Sequence, residues 1–175
     1  MDEQQLVRDC IKGRKRAQKA FYERFAPKMY AVCLRYAKDE SLAKDFLQES
    51  FIRIFAHLKD FRFEGALEGW IRRIVVNVAL ENLRRPDVFK HILHLDMVSQ
   101  TEYETHELQE QIDVAELMQL IQSMPTGFRT VFNLFAIEGY THQEIGQLLN
   151  ISEGTSKSQY ARARQWLIQR LQKMR

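Results

Sequence analysis

Lys157, Ser158, Gln159 and Arg162 stand near the start of a basic helical stretch, and every one of them carries hydrogen-bond donors. Such side chains on a helix can read base edges in a major groove: Lys and Arg pair with guanine, Gln with adenine, and Ser with either. A second group, Phe61-Arg62-Phe63-Glu64, interleaves rings with charge and is followed by Trp70, Arg73 and Asn77. Unpaired bases stack on such rings while cations hold the phosphates, at roughly 1–3 kcal/mol per base. Phe61 and Phe63 are equally suited to covering a core, and composition leaves that choice open. A third group, Asp45, Gln48, Glu49 and Phe51, reads as an acidic strip beside apolar residues. It suits protein docking or an ordinary solvated face. The chemistry offered by all three groups is recognition, not bond making.

Helices must position these groups. Thr141 with Glu144 three residues on is a capping box, and Ile145, Leu148 and Leu149 then recur at helical spacing. Asn150-Ile151-Ser152 breaks that helix, because Asn tolerates a left-handed backbone and Ser caps the next helix. The second helix places Tyr160, Ala163, Leu167 and Leu171 inward, with Lys157, Ser158, Gln159 and Arg162 outward. This is the layout of a helix-turn-helix.

Upstream, a short helix is expected over residues 2–12, ending at Gly13. A long one follows over 17–37 with Phe21, Phe25, Met29, Cys33 and Tyr36 on one stripe. Pro27 implies either a bend there or two helices meeting. Asp39 or Ser41 caps a helix running to about Leu58, with Leu42, Phe46, Leu47, Ser50, Ile54 and Phe55 inward. Residues 59–65 read as a loop, and 67–85 as a helix burying Ile71, Ile74, Val75 and Val78, ended by Pro86. Residues 87–110 read as a linker, reaching at most ~80 Å. Helices over 112–122 and 128–137, the latter with Val131, Phe132, Leu134 and Phe135 apolar, complete the second unit. No stretch shows strand alternation. The expected fold is therefore all-α: two small helical domains, 1–86 and 111–175, joined by a linker.

Charge follows the same division. Residues 1–86 hold 18 basic and 12 acidic side chains, net +6; residues 87–110 are net −5 and 111–140 net −2. Residues 141–175 hold six basic against two acidic, net +4. Separated basic blocks fit two nucleic-acid contacts. Cys10 and Cys33 are too few and too isolated for a zinc site or disulfide framework. His91 and His94 lack companion ligands, so no metal and no cofactor are expected. No Gly-rich phosphate loop and no nucleophile with a spaced His partner is present, which argues against an enzyme. No apolar run reaches the ~18 residues a membrane span needs, and no signal peptide precedes the first helix. A cytoplasmic protein without direct membrane insertion is expected.

Four stretches, in this order, resemble bacterial RNA polymerase sigma factors of the small extracytoplasmic-function type in the sigma-70 family. They are DFLQESFIRIF (45–55), FRFEGALEGWIRRIVVNVALENLRR (61–85), MPTGFRTVFNLFAIEGYTHQEIGQLLNIS (124–152) and EGTSKSQYARARQWL (153–167). The resemblance implies that 1–86 binds core polymerase and melts and reads the −10 element, and that 111–175 reads the −35 element. It assigns Asp45, Gln48, Glu49 and Phe51 to the grip on the coiled coil of the largest polymerase subunit. It assigns Phe61, Arg62, Phe63 and Glu64 to capture of a flipped base, with Trp70, Arg73 and Asn77 beside them. Lys157, Ser158, Gln159 and Arg162 take the groove-facing positions. The linker would run toward the RNA exit path. Implied partners are promoter DNA, core RNA polymerase and an anti-sigma factor, with no small-molecule substrate. The chain departs from the family pattern at Phe63 and Glu64, where Gly and Asp are common, and at Ser156 and Gln159, where Val and Arg are common. The rival reading, a stand-alone helix-turn-helix regulator, leaves the acidic strip and the aromatic loop without a task.

Overall fold

The computed structural model describes residues 2–84 and 113–173. The expected linker, with Pro86, His91 and His94, lies outside them. All regular structure among the described residues is helical, and the chain divides into two compact units, Met1–Asn82 and Leu83–Arg175.

In the first unit, α1 (Glu3–Ile11) buries Leu6, Val7 and Cys10 and packs on α2 (Lys15–Tyr36). Between them Gly13 takes φ +72°, a conformation that suits a residue without a Cβ. α2 buries Phe21, Phe25, Met29, Cys33 and Tyr36, and it continues as one helix through Pro27. Pro27 itself is exposed, while buried Ala26 and Met29 on either side hold the helix to the core despite the missing donor. Asp39 caps α3 (Glu40–His57) by accepting from the Leu42 amide at 2.8 Å. α3 lays Phe46, Leu47, Phe51 and Ile54 against α2. A 3-10 turn (Leu58–Asp60) and an irregular loop lead to α4 (Leu67–Leu83), which buries Ile71, Val75, Val78 and Ala79.

Ion pairs bridge these helices: Lys28 to Glu68 at 2.6 Å, Arg24 to Glu3 at 3.2 Å, and Arg53 to Glu81 at 2.6 Å. All are solvent-facing and contribute at most about 1 kcal/mol each. Burial of one Phe or Leu contributes about 1.5–3 kcal/mol, so apolar packing holds this unit. Burial pushes the Cys10 thiol up to about 11 and the Cys33 thiol up to about 12, so both behave as small apolar groups at neutral pH.

The second unit contains α5 (Val114–Ser123), α6 (Thr126–Phe132) ending in a π turn (Asn133–Ile137), α7 (His142–Leu149) and α8 (Glu153–Lys173). α8 is the element on which α5, α6 and α7 all pack. Leu120, Ile121, Met124, Ala163 and Leu167 form its core, flanked by Leu117, Phe128, Phe132, Trp166 and Leu171.

The segment expected as a helix over 128–137 begins earlier, at Thr126, and loosens into the π turn. Its inner face is also more polar than its Val and Phe pattern implies. Arg129, only 2% exposed, donates from Nη1 to the carbonyls of Gln122 at 2.7 Å and Met124 at 3.2 Å. It thereby ties the end of α5 to α6. Burial lowers its pKa to about 10, so it stays charged at neutral pH. Thr130 and Asn133 donate to the carbonyls of Thr126 and Arg129 at 2.7 and 2.9 Å, which lets these polar groups sit inside.

Candidate nucleic-acid interface

The loop between the 3-10 turn and α4 folds over the first turns of α4 and leaves a pocket of about 530 Å³. Its walls are Asp60, Phe61, Arg62, Glu64, Gly65, Ala66, Gly69, Trp70 and Arg73. Five of the residues expected to bind an unpaired strand (Phe61, Arg62, Glu64, Trp70 and Arg73) are thus brought together. Phe61 and Trp70 form an aromatic floor with centroids 5.5 Å apart, flanked by two guanidinium groups and two carboxylates. A flat heterocycle bearing donors and acceptors suits this chemistry. The choice left open for the two phenylalanines resolves differently for each. Phe61 is buried and Phe63 is 41% exposed, leaning on Phe61 at 4.9 Å.

Asn77 does not line the pocket. It is exposed on α4 one turn beyond Arg73 and extends the same helical face. The sequence reading missed Asp60, Gly65, Ala66 and Gly69. A glycine inside a helical pattern was the available signal.

On α3, Asp45 and Gln48 are exposed as expected. Glu49 is half-buried and engaged within the protein: Arg53 donates to it at 2.6 Å and Asn82 at 2.8 Å. Phe51 does not belong to the exposed strip. It is 4% exposed, and its ring packs on Tyr22 at 4.6 Å and Phe55 at 6.0 Å. α2 covers the side of α3 that carries Phe51, and the apolar residue offered to solvent is its neighbour Ile52, 64% exposed.

The helix-turn-helix forms as its caps imply. Thr141 Oγ1 accepts from the Glu144 amide at 3.2 Å, and the Glu144 carboxylate accepts from the Thr141 amide at 2.8 Å. Asn150 takes φ 56°, ψ 47°, and the Ser152 hydroxyl accepts from the Thr155 amide at 2.9 Å. Gly146 is required by the turn. A Cβ there would lie 2.8 Å from the Ile151 carbonyl oxygen.

Of the expected groove-facing residues, Lys157 is exposed and paired with Glu153 at 2.6 Å, one turn earlier. Ser158 and Arg162 are half-exposed, and Ser158 donates to the Thr155 carbonyl at 3.0 Å. Gln159 is different: it is 1% exposed, and neither its Nε2 nor its Oε1 has a hydrogen-bond partner among the described residues. It lies three residues after buried Ser156 and four before buried Ala163, so the helical repeat places it on the inner face of α8. In this conformation it does not present its amide to a groove. Ser156 is also inside, where its hydroxyl meets His142 Nδ1 at 2.9 Å. His142 stacks on Phe135, with centroids 4.2 Å apart and planes 9° from parallel. Burial, and then Lys157, lower its pKa, with Glu153 opposing.

Among the described residues no helix is long and apolar enough to cross a membrane, and no cluster of His, Cys, Asp and Glu is placed to hold a metal.

Comparison with known proteins agrees with this geometry. Residues 21–87 match the family described as sigma-70 region 2, and residues 115–167 match sigma-70, region 4. The chain is 31% identical over 151 residues to the ECF RNA polymerase sigma factor SigE of Mycolicibacterium smegmatis, covering 81% of this chain and 56% of that protein. It is 29% identical over 184 residues to the RNA polymerase sigma-H factor of Pseudomonas aeruginosa, covering 97% and 94% of the two chains. The fold matches that of the sigma factor RpoE of Bartonella quintana, solved in complex with the anti-sigma factor NepR. That match has a TM-score of 0.52 at 19% identity, over 88% of this chain and 96% of the other. With consecutive matches to regions 2 and 4 and an all-helical architecture in two units, the chain belongs to the sigma-70 family of RNA polymerase sigma factors, in its extracytoplasmic-function type.

Proposed function

We propose that this chain is a transcription initiation factor. It binds core RNA polymerase, directs it to a set of promoters, and holds the melted −10 strand with residues 60–73 while α8 reads the −35 element. The observation that carries the reading is the pocket of about 530 Å³, where an aromatic floor, two guanidinium groups and two carboxylates converge at the start of α4. A stand-alone regulator has no use for such a site, since duplex reading needs only the helix-turn-helix.

The roles divide as follows. Phe61 and Trp70 offer ring faces to one unpaired base, and Arg62 and Arg73 offer charge to its phosphates and acceptors. Asp60 and Glu64 accept from its amino groups. Asn77 continues the strand contact along α4. Asp45 and Gln48, with exposed Ile52 one turn after Gln48, form the docking face for the polymerase, and Phe51 supports that face from beneath. Lys157, Ser158 and Arg162 face the duplex. The protein acts by binding rather than catalysis, in the cytoplasm where polymerase works. The residues 1–86 and 111–175 serve as separate modules joined by 87–110. An anti-sigma protein is among its partners, as NepR is for RpoE of Bartonella quintana. Recovery of the chain from native cells with no such inhibitor attached would remove that partner from the account.

The test is binding of the purified chain to core bacterial polymerase, followed by run-off transcription from a genomic promoter library. Tight binding and start sites that depend on the chain are expected. Specific duplex binding by the chain alone, with no affinity for polymerase, would establish the stand-alone regulator instead.

A further inference from the structure

We infer that the site holds two successive unpaired nucleotides, the second stacked on the outer face of Phe63; this rests on the reading of the pocket as a base-capturing site. Phe63 is unusual on two counts. Its backbone lies at φ +58°, a left-handed conformation that bulky L-residues seldom adopt. The residue is 41% exposed, yet it is not part of the pocket wall. A strained residue that turns an aromatic ring to solvent contributes little to the fold, and strain of this kind collects at binding sites.

The ring is held for contact. It leans on Phe61 at 4.9 Å, and Phe61 lies 5.5 Å from Trp70, so the three rings form one chain of tilted contacts beside the pocket. Phe61 touches both of the other rings, and Phe63 stands at the end of the series with 41% of its surface exposed. A base leaving the pocket along the strand meets that ring next, with the exposed Arg62 adjacent for the intervening phosphate. The two positions differ in chemistry. The pocket surrounds its base with donors and acceptors and so discriminates among bases, whereas Phe63 offers only hydrocarbon. The second nucleotide is therefore held by stacking, with little regard to identity.

The experiment uses the full chain bound to core polymerase and a promoter whose non-template strand carries single abasic sites walked through the −10 element. The readout is affinity for the melted strand. With the natural chain, two adjacent abasic positions should each lose about tenfold. At one of them, exchanging the base for the other three should change affinity by less than about threefold. F63G and F63N both accept a positive φ, so one stands in if the other folds poorly. Either variant should erase the penalty at the identity-tolerant position and leave the other intact. If the variants flatten both positions or neither, the inference fails, because Phe63 then only braces Phe61 or does nothing. It fails equally if they weaken polymerase binding itself, which would make the ring a protein contact. If no abasic position matters even with the natural chain, the pocket reading falls, a result separable from loss of the second position alone.

Discussion

Gly69 stands in the first turn of α4, where helix propensity would favour Ala by about 1 kcal/mol. A Cβ there meets no atom within 4 Å, so no neighbour requires a glycine, and the residue lines the pocket. The pocket reading makes that open space the place of the bound base. Gly69→Ala should raise stability by about 0.5–1 kcal/mol in chemical denaturation, while Gly69→Leu should fold normally and reduce open-complex formation at least about tenfold. Equal promoter melting by the Leu variant would show that this wall is not used. Gln159 argues in the opposite direction. A buried amide with no partner costs about 1–3 kcal/mol, so Gln159→Met should stabilise the protein by about 1 kcal/mol without changing the preferred −35 sequence. An altered preference in promoter selection would mean that the side chain turns outward on DNA. Gln159 and Phe51 share the reason that they were misplaced from sequence. Each sits at the margin of its helix's apolar stripe, where a 3.6-residue repeat leaves either face open until the neighbouring helix is known. Hydropathy sends Gln out and an acidic context draws Phe with it, but α2 closes over Phe51 and the inner face of α8 takes in Gln159.

Elements whose signals are local were legible, and those that depend on a partner were not. The capping box at Thr141, the left-handed Asn150 and the Ser152 cap all act within four residues, and all are present. The aromatic stripe of α2 was readable because five apolar residues, four of them large, agree on one face. Gly146 was not, since its neighbour, the Ile151 carbonyl, is brought close only by the completed turn. Gly146→Ala forces backbone to move and should destabilise the second unit by about 1–3 kcal/mol, with duplex binding falling in parallel. The contact between α7 and α8 through His142 and Ser156 was equally invisible, and it gives the element a pH dependence. Because the folded state lowers the His142 pKa, folded and unfolded chains are both neutral there above about 6.5, and stability is fully present. As pH falls through that value the unfolded chain takes up a proton first, so stability is lost until the folded pKa is passed. Unfolding measured from pH 7.5 to 5.5 should show this decline, and His142→Gln should reduce it. An unchanged slope would assign the dependence to other groups.

At the scale of the whole molecule each unit carries one basic block, set in chemically distinct surroundings. Residues 1–86 are net +6 and residues 141–175 net +4; the first block includes the pocket of Arg62 and Arg73, and the second lies on the helix-turn-helix. Surface charge attracts DNA of any sequence only over a screening length of ~8 Å at physiological salt, so neither block alone confers tight, selective binding. Joining two weak sites on one chain raises affinity through effective concentration, and the polymerase that holds both units sets that concentration. Side chains that contact separate promoter elements from separate compact units should act independently. Arg73→Ala, at the pocket, and Arg162→Ala, on α8, should therefore each lower promoter affinity of the polymerase complex, and the double variant should lose the product of the two factors. Measured with a promoter carrying both elements, multiplicative losses support two contacts made together. A double variant no weaker than the worse single one would mean that the units engage the promoter in alternation, with the −35 contact released before the strand is captured.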